Sequence, residues 1–87
     1  MNDYNDCPMT CHDLKIAPQF YDAVLSGQKR FELRKNDRGF SVGDLIRLKE
    51  WSDGKYSGRE SVYRIGYILS GYDGLEPDYV ILGIDPQ

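Results

Sequence analysis

Hydrophobic length is the first thing this sequence lacks. Among its 87 residues no uninterrupted apolar run exceeds three or four, Tyr79-Val80-Ile81-Leu82 being the longest, whereas a membrane-spanning helix needs about 20. The opening Met1-Asn2-Asp3-Tyr4-Asn5-Asp6 is acidic and polar, unlike a secretory signal, so a cytoplasmic location without membrane partner is expected. Cysteine is scarce too. Cys7 and Cys11 are the only two, and a disulfide framework calls for more cysteines at wider spacing in a secreted chain. Cys7-Pro8-Met9-Thr10-Cys11-His12 gathers three ligand-capable side chains. His12 is the sole histidine, however, and no second ligand pair follows, so a zinc site is not expected. The carboxylates are scattered without cation-ligating spacing. No metal and no cofactor is implied. Residues 1–11 read as a flexible leader, and 12–87 as a single domain, since a chain of this size supports one core.

The charge is uneven rather than absent. The chain carries a net charge of −3, which disfavours a nucleic-acid partner at first sight because phosphates are held by Lys and Arg. Residues 28–38, however, contain Lys29, Arg30, Arg34, Lys35 and Arg38 against Glu32 and Asp37, a local net charge of +3. The remainder therefore carries −6. A local positive field decides where an anion docks, although charged edge strands also serve simply to block aggregation.

Periodicity outlines the elements. His12 to Ile16 alternates as a short strand with Leu14 and Ile16 inward. Pro18 opens a helix, its fixed φ being suited to the first turn. Phe20, Tyr21, Val24 and Leu25 share one helical face, and Gly27 provides the residue that ends it. In Arg30-Phe31-Glu32-Leu33-Arg34 the period becomes two, with Phe31 and Leu33 on one face and the charges on the other. Asn36 to Gly39 and Val42-Gly43-Asp44 are turns. Strands are expected over Leu45 to Trp51, Arg59 to Leu69 and Tyr79 to Ile84, the first two joined across a loop from Ser52 to Gly58. Gly66 suggests a bulge inside the long strand. The order β-α-β-β-β-β implies a mainly β (α+β) domain with one or two short helices. A small, strongly bent sheet would close on itself and be plugged by Phe20, Val24 and Leu25.

The chemistry concentrates in Gly27-Gln28-Lys29-Arg30-Phe31-Glu32-Leu33-Arg34. Glu32 and Arg34 lie two residues apart on one strand face beside Lys29, so a carboxylate acceptor stands next to two cationic donors. That set can read a base edge and hold its phosphate. The bland use of the same residues is a solvated ion pair worth little to stability.

Gly27, Lys29, Glu32 and Arg34 match the G-x-K-x-x-E-x-R motif, and here the sequence resembles the ASCH domains of the PUA-like superfamily. His12-Asp13-Leu14-Lys15-Ile16, the helix Phe20 to Ser26, Arg34-Lys35-Asn36-Asp37-Arg38, Val42-Gly43-Asp44 and Tyr79-Val80-Ile81-Leu82-Gly83-Ile84 are similar to the small DUF3850 branch, a stand-alone bacterial and phage domain. The likeness spans about residues 12–84. It implies a small PUA-like β-barrel with a helix near a cleft, and an RNA- or nucleotide-binding module in which Lys29, Glu32 and Arg34 line that cleft and Gly27 shapes the turn. Charge and proximity add Lys35, Asn36 and Arg38 to the candidate ligand-binding residues. Trp51 and Tyr67 are candidates to stack on a base, against the packing role that a small core gives most such residues.

The resemblance also implies an alternative from another class, a small hydrolase. Some relatives are N4-acetylcytidine-type amidohydrolases with a threonine nucleophile, and others act on RNA. The motif position of that threonine is Glu32 here, and Thr10, in the leader, is the only threonine in the chain. An enzyme would therefore rest on Lys29 and Glu32 as the acid–base pair, with His12 as a proton shuttle. A third class, an interaction protein whose basic strip binds an acidic partner, uses the same charges.

Overall fold

A computed structural model describes residues 10–87, and Cys7 and the rest of the leader through residue 9 lie outside the described residues. The elements run β1 (Cys11–Ile16), α1 (Pro18–Leu25), β2 (Phe31–Lys35), β3 (Leu45–Ser52), β4 (Lys55–Leu69) and β5 (Tyr79–Pro86). Cys11, assigned to the leader by its polar surroundings, is instead the first residue of β1 and is exposed. The domain is mainly β with one short helix, as expected.

The five strands form one sheet in the order β1-β3-β4-β5-β2. The β1–β3 pair is parallel and the other three are antiparallel. The sheet curls into a half-barrel, and its inner face carries the core. Ile46, Leu48, Ile65 and Leu82 are fully buried, joined by Leu14, Ile16, Val80 and Ile84. Each such side chain contributes about 1.5–3 kcal/mol by leaving water. The expected closure of the sheet on itself does not occur through backbone pairing, for β1 and β2 are the two ends of the strand order.

Two bends produce the curl. Register shifts between Ile65 and Tyr67 along the β4–β5 pair, which confirms the bulge at Gly66. A Cβ on Gly66 would lie 2.8 Å from a carboxylate oxygen of Asp85, so a side chain there would force Asp85 to move. The second shift lies between Lys49 and Trp51 on the β3–β4 pair. The β3–β4 connection is also tighter than the Ser52–Gly58 loop expected. Asp53 and Gly54 both have positive φ, 52° and 78°, the conformation of a two-residue hairpin turn for which Asp-Gly is the favoured pair. β4 consequently begins at Lys55.

Helix α1 closes one end of the half-barrel, but not with the face expected. Tyr21 and Val24 are buried, while Phe20 and Leu25 are half exposed. The apolar face is wider than the contact it makes. Tyr21 donates its hydroxyl to Ser61 Oγ (3.0 Å), which donates in turn to the Tyr63 hydroxyl (2.8 Å). Beyond the helix C-terminus, Gly27 takes φ 84° and donates its N–H to Val24 O, and Lys29 N–H reaches Ala23 O. That left-handed turn delivers the chain directly into β2.

A charged cluster secures the helix to the hairpin, and it was not visible in the sequence. Glu50 is buried on the inner face of β3. The register shift between Lys49 and Trp51 sets residues 57–59 of β4 against the single residue Glu50. Ser57 Oγ donates to Glu50 Oε1 (2.6 Å), and Arg59 donates through Nε (3.0 Å) and Nη2 (2.8 Å). Arg59 also bonds Asp22 Oδ1 on α1 (3.0 Å) and lies over the Tyr21 ring. The Arg59 hydrogen bond, followed by that of Ser57, lowers the Glu50 carboxyl from 4.5 to about 2.

Because its folded value lies below its unfolded one, Glu50 stabilises the fold above pH 4.5, and this contribution is lost as the pH falls toward about 2. Urea unfolding midpoints taken stepwise through that window should therefore fall faster for the wild type than for Glu50→Gln. Parallel curves would show that the cluster does not set the acid sensitivity.

Candidate functional site

The site lies at the gap between the two end strands. A cleft of about 440 Å³ is lined by Lys15, Ile16 and Ala17 from β1 and its junction with α1, by Phe20 of α1, and by Lys29, Phe31, Glu32, Leu33 and Arg34. Its volume falls in the range of small-molecule sites.

β2 positions the charged residues, and it does so with its alternation inverted. The charged face points inward and the apolar face outward. Glu32 is only 4% exposed, whereas Phe31 and Leu33 are 45% and 53% exposed. Pairing with β5 explains the inversion. Val80, Leu82 and Ile84 are the buried residues of β5, and the register sets Glu32 opposite Leu82 and Arg34 opposite Val80. Directly opposed residues share a face. The register is held at both ends, by Ile84 N–H to Arg30 O (3.0 Å) and Asn36 N–H to Asp78 O (2.7 Å).

A buried carboxylate needs neutralising partners, and Glu32 has two. Lys29 Nζ donates to its Oε2 (2.5 Å) and Arg34 Nε to its Oε1 (3.2 Å). Lys29 Nζ also donates to Phe31 O (2.6 Å) and sits over the Phe31 ring. Arg34 Nη2 reaches across the gap to Lys15 O on β1. The triad carries net +1. Each carboxylate oxygen retains acceptor capacity, and among the described residues Arg34 Nη1 has no partner. The cluster can therefore still bond a ligand.

The other sequence candidates lie elsewhere. Gly27 borders a separate cavity of about 350 Å³ behind α1, which also includes Lys29 and Arg30. Lys35, Asn36 and Arg38 are outside the cleft lining. Lys35 is exposed. Asn36 Oδ1 accepts from Phe40 N–H (3.4 Å), and Arg38 Nη1 donates to Asp13 O (2.7 Å), so these two hold the chain after β2.

His12 is buried against Asp44, Nε2 to Oδ2 at 2.9 Å, with its ring edge-on to Phe40. Asp44 Oδ2 also accepts from Ser41 N–H (3.0 Å), so His12 pins the turn before β3. It is four residues along β1 from the cleft residue Ile16, roughly 13 Å at strand spacing. Thr10 is six residues away, about 20 Å, and its carbonyl accepts from Leu45 N–H. Neither residue joins Lys29 and Glu32. Among the described residues no three His, Cys, Asp or Glu side chains cluster as metal ligands would.

Sequence reasoning missed Lys15, Ile16, Ala17, Phe20, Phe31 and Leu33 as cleft residues. Phe20 had been placed in the plug, and Phe31 and Leu33 on the strand face opposite the charges. The available signal was the pair of apolar residues interleaved with Glu32 and Arg34. Alternation alone left open which of the two faces is inward.

The chain thus forms a curled five-stranded half-barrel with one helix, and a charged cleft lies at its open seam. The model of the domain of unknown function DUF3850 matches residues 11–84, and the chain belongs to that family. It is also similar to the uncharacterized 12.9 kDa protein in the GpA 3′ region of Escherichia phage P2, at 42% identity over 71 residues. That match covers 82% of this chain and 64% of the relative's length, so this chain spans less than two thirds of the relative.

Glu32→Gln would leave Lys29 and Arg34 facing each other without the charge that separates them. Loss of a partner from a fully buried pair costs about 3–5 kcal/mol. Lys29 and Arg34 are 18% and 25% exposed, so about 1–3 kcal/mol is expected by urea denaturation, against less than about 0.5 kcal/mol for the outward-facing Leu33→Ser. Equal effects at the two positions would contradict the inverted strand.

Proposed function

We propose that the domain is a binding module for single-stranded RNA or a nucleotide. The observation that supports this most is the cleft itself, in which a net-positive triad lies among apolar walls that include two half-exposed aromatic rings, Phe20 and Phe31. A nucleotide presents the complementary groups. Its phosphate accepts from Arg34 Nη1 and from Lys29, its base amino group donates to Glu32, and its ring lies against Phe20 or Phe31. The likeness of Gly27, Lys29, Glu32 and Arg34 to the motif of ASCH domains supports the same reading.

A hydrolase is the second reading, with Lys29 and Glu32, which are paired in the cleft, as its acid–base couple. The remoteness of Thr10 opposes a threonine nucleophile. Under the binding reading N4-acetylcytidine and RNA are recovered unchanged after incubation with the protein. Release of acetate or RNA fragments would replace it with the hydrolase reading.

Fluorescence anisotropy with a labelled single-stranded RNA pool tests binding directly. Affinity should fall with salt at a slope of roughly −0.7 per neutralised phosphate, about −1.4 for two. The double variant Lys29→Ala, Arg34→Ala should abolish binding. Phe20→Ala, which removes an exposed side chain and leaves the ion pairs intact, should cost about 1 kcal/mol or more of affinity. No binding of RNA or mononucleotides at low salt would end this reading.

A further inference from the structure

The outward face of the sheet beside the cleft carries a second group of aromatic and cationic side chains. Lys15 Nζ lies 3.8 Å above the centre of the Trp51 ring. Trp51 meets Tyr56 edge-on, with centroids 4.8 Å apart, and Lys49 Nζ lies 4.6 Å over the Tyr56 ring. Strand pairing creates the group, since Trp51 opposes Tyr56 across the hairpin and Lys15 opposes Lys49 across the parallel seam.

The charges of this face are unequal in their compensation. Arg47 is held by Asp13 (3.2 Å) and Glu60 (3.6 Å). Lys15 and Lys49 have no carboxylate within ion-pair distance among the described residues. Two ammonium groups thus rest on π faces alone. Lys15 also lines the cleft, and its carbonyl accepts from Arg34. The track therefore starts at the lip of the site already described.

We propose that this face is a second subsite for the same single strand of RNA. The nucleotide adjoining the one in the cleft stacks its base on Trp51 and displaces the Lys15 ammonium, which moves onto the phosphate joining the two nucleotides. Lys49 and Tyr56 extend the track by one further phosphate and ring. The exchange is favourable for both partners of Lys15. A base offers the indole a broader π contact than an ammonium does, and a phosphate offers the ammonium a full negative charge. An acidic peptide would satisfy the lysines but would have no use for the ring.

This inference rests on the cleft binding a nucleotide, and the test separates the two. Trp51 is the only tryptophan in the chain, so its fluorescence reports the subsite without substitution. A short random-sequence single-stranded RNA should bind more tightly than a mixture of 5′-mononucleotides and quench Trp51, whereas the mononucleotides should bind without quenching. Trp51→Leu should weaken RNA binding roughly five- to a hundredfold and leave mononucleotide affinity unchanged, and Lys49→Gln should lower the salt dependence for RNA alone. Binding of neither probe overturns the cleft reading and this one with it. RNA binding with unquenched Trp51 and unaltered affinity in Trp51→Leu overturns the subsite alone. Equal quenching by polyglutamate overturns it in favour of an acidic protein partner.

Discussion

The sheet of this domain curls without closing, and two arginines span the seam that backbone pairing leaves open. In a parallel pair the carbonyls of alternate residues point away from the partner strand. The carbonyls of Asp13 and Lys15, two residues apart on the free edge of β1, accept from Arg38 and Arg34. These side-chain bonds replace the missing ladder between β1 and β2 and keep a wedge of space between the strands. A closed barrel would have no cleft there. The arginine nearer the helix can hold its place because Glu32 anchors it from behind, and Glu32 can be buried because Lys29 and Arg34 neutralise it. Seam, triad and cleft thus form one construction.

The same construction explains why the motif is arranged as it is. Gly27 turns the chain out of α1 with a positive φ, and Lys29 sits two residues later, bonded through its N–H to the helix and through its ammonium to Glu32. Glu32 and Arg34 then project from consecutive inward positions of β2. Much of the local positive charge serves the fold: Arg38 bonds a backbone carbonyl, and Arg30 folds back onto Gly27 O. Within the strip, charge with capacity left for a ligand lies on the triad and on the exposed Lys35, and the Lys15 and Lys49 ammonium groups lie on the outer face. A count along the sequence had assigned both of these lysines to the acidic remainder.

Next to Ile16 in the strand register, Glu50 and its partner Arg59 solve a similar problem by the same means. A carboxylate on the inner face of a strand is made tolerable by a guanidinium that also ties down a neighbouring element, here Asp22 of α1. The hydroxyl relay from Tyr21 through Ser61 to Tyr63 completes the contact. The helix is therefore placed by Tyr21 and Val24 in the core together with these polar anchors, while Phe20 and Leu25 stay half in solvent. The exposed Phe20 then becomes a wall of the cleft.

What the sequence determined by itself was local. Pro18 and Gly27 bounded the helix, Gly66 marked the bulge, Asp53-Gly54 contained a tight turn that a broader loop assignment overlooked, and the period of two identified β2 as a strand. The residues at the heart of the cleft were legible because they lie within eight consecutive positions, and the family because its short segments are spread along residues 12–84. Tertiary structure alone decided which face of β2 is buried. Alternation is symmetric between its two faces, and the choice depends on the register with β5, where Leu82 and Val80 oppose Glu32 and Arg34. It also decided that β1 lies across the cleft from β2, bringing Lys15 to Arg34 and to Trp51, because strand order is set by the packing of a curled sheet and leaves no mark on residues so far apart in the chain.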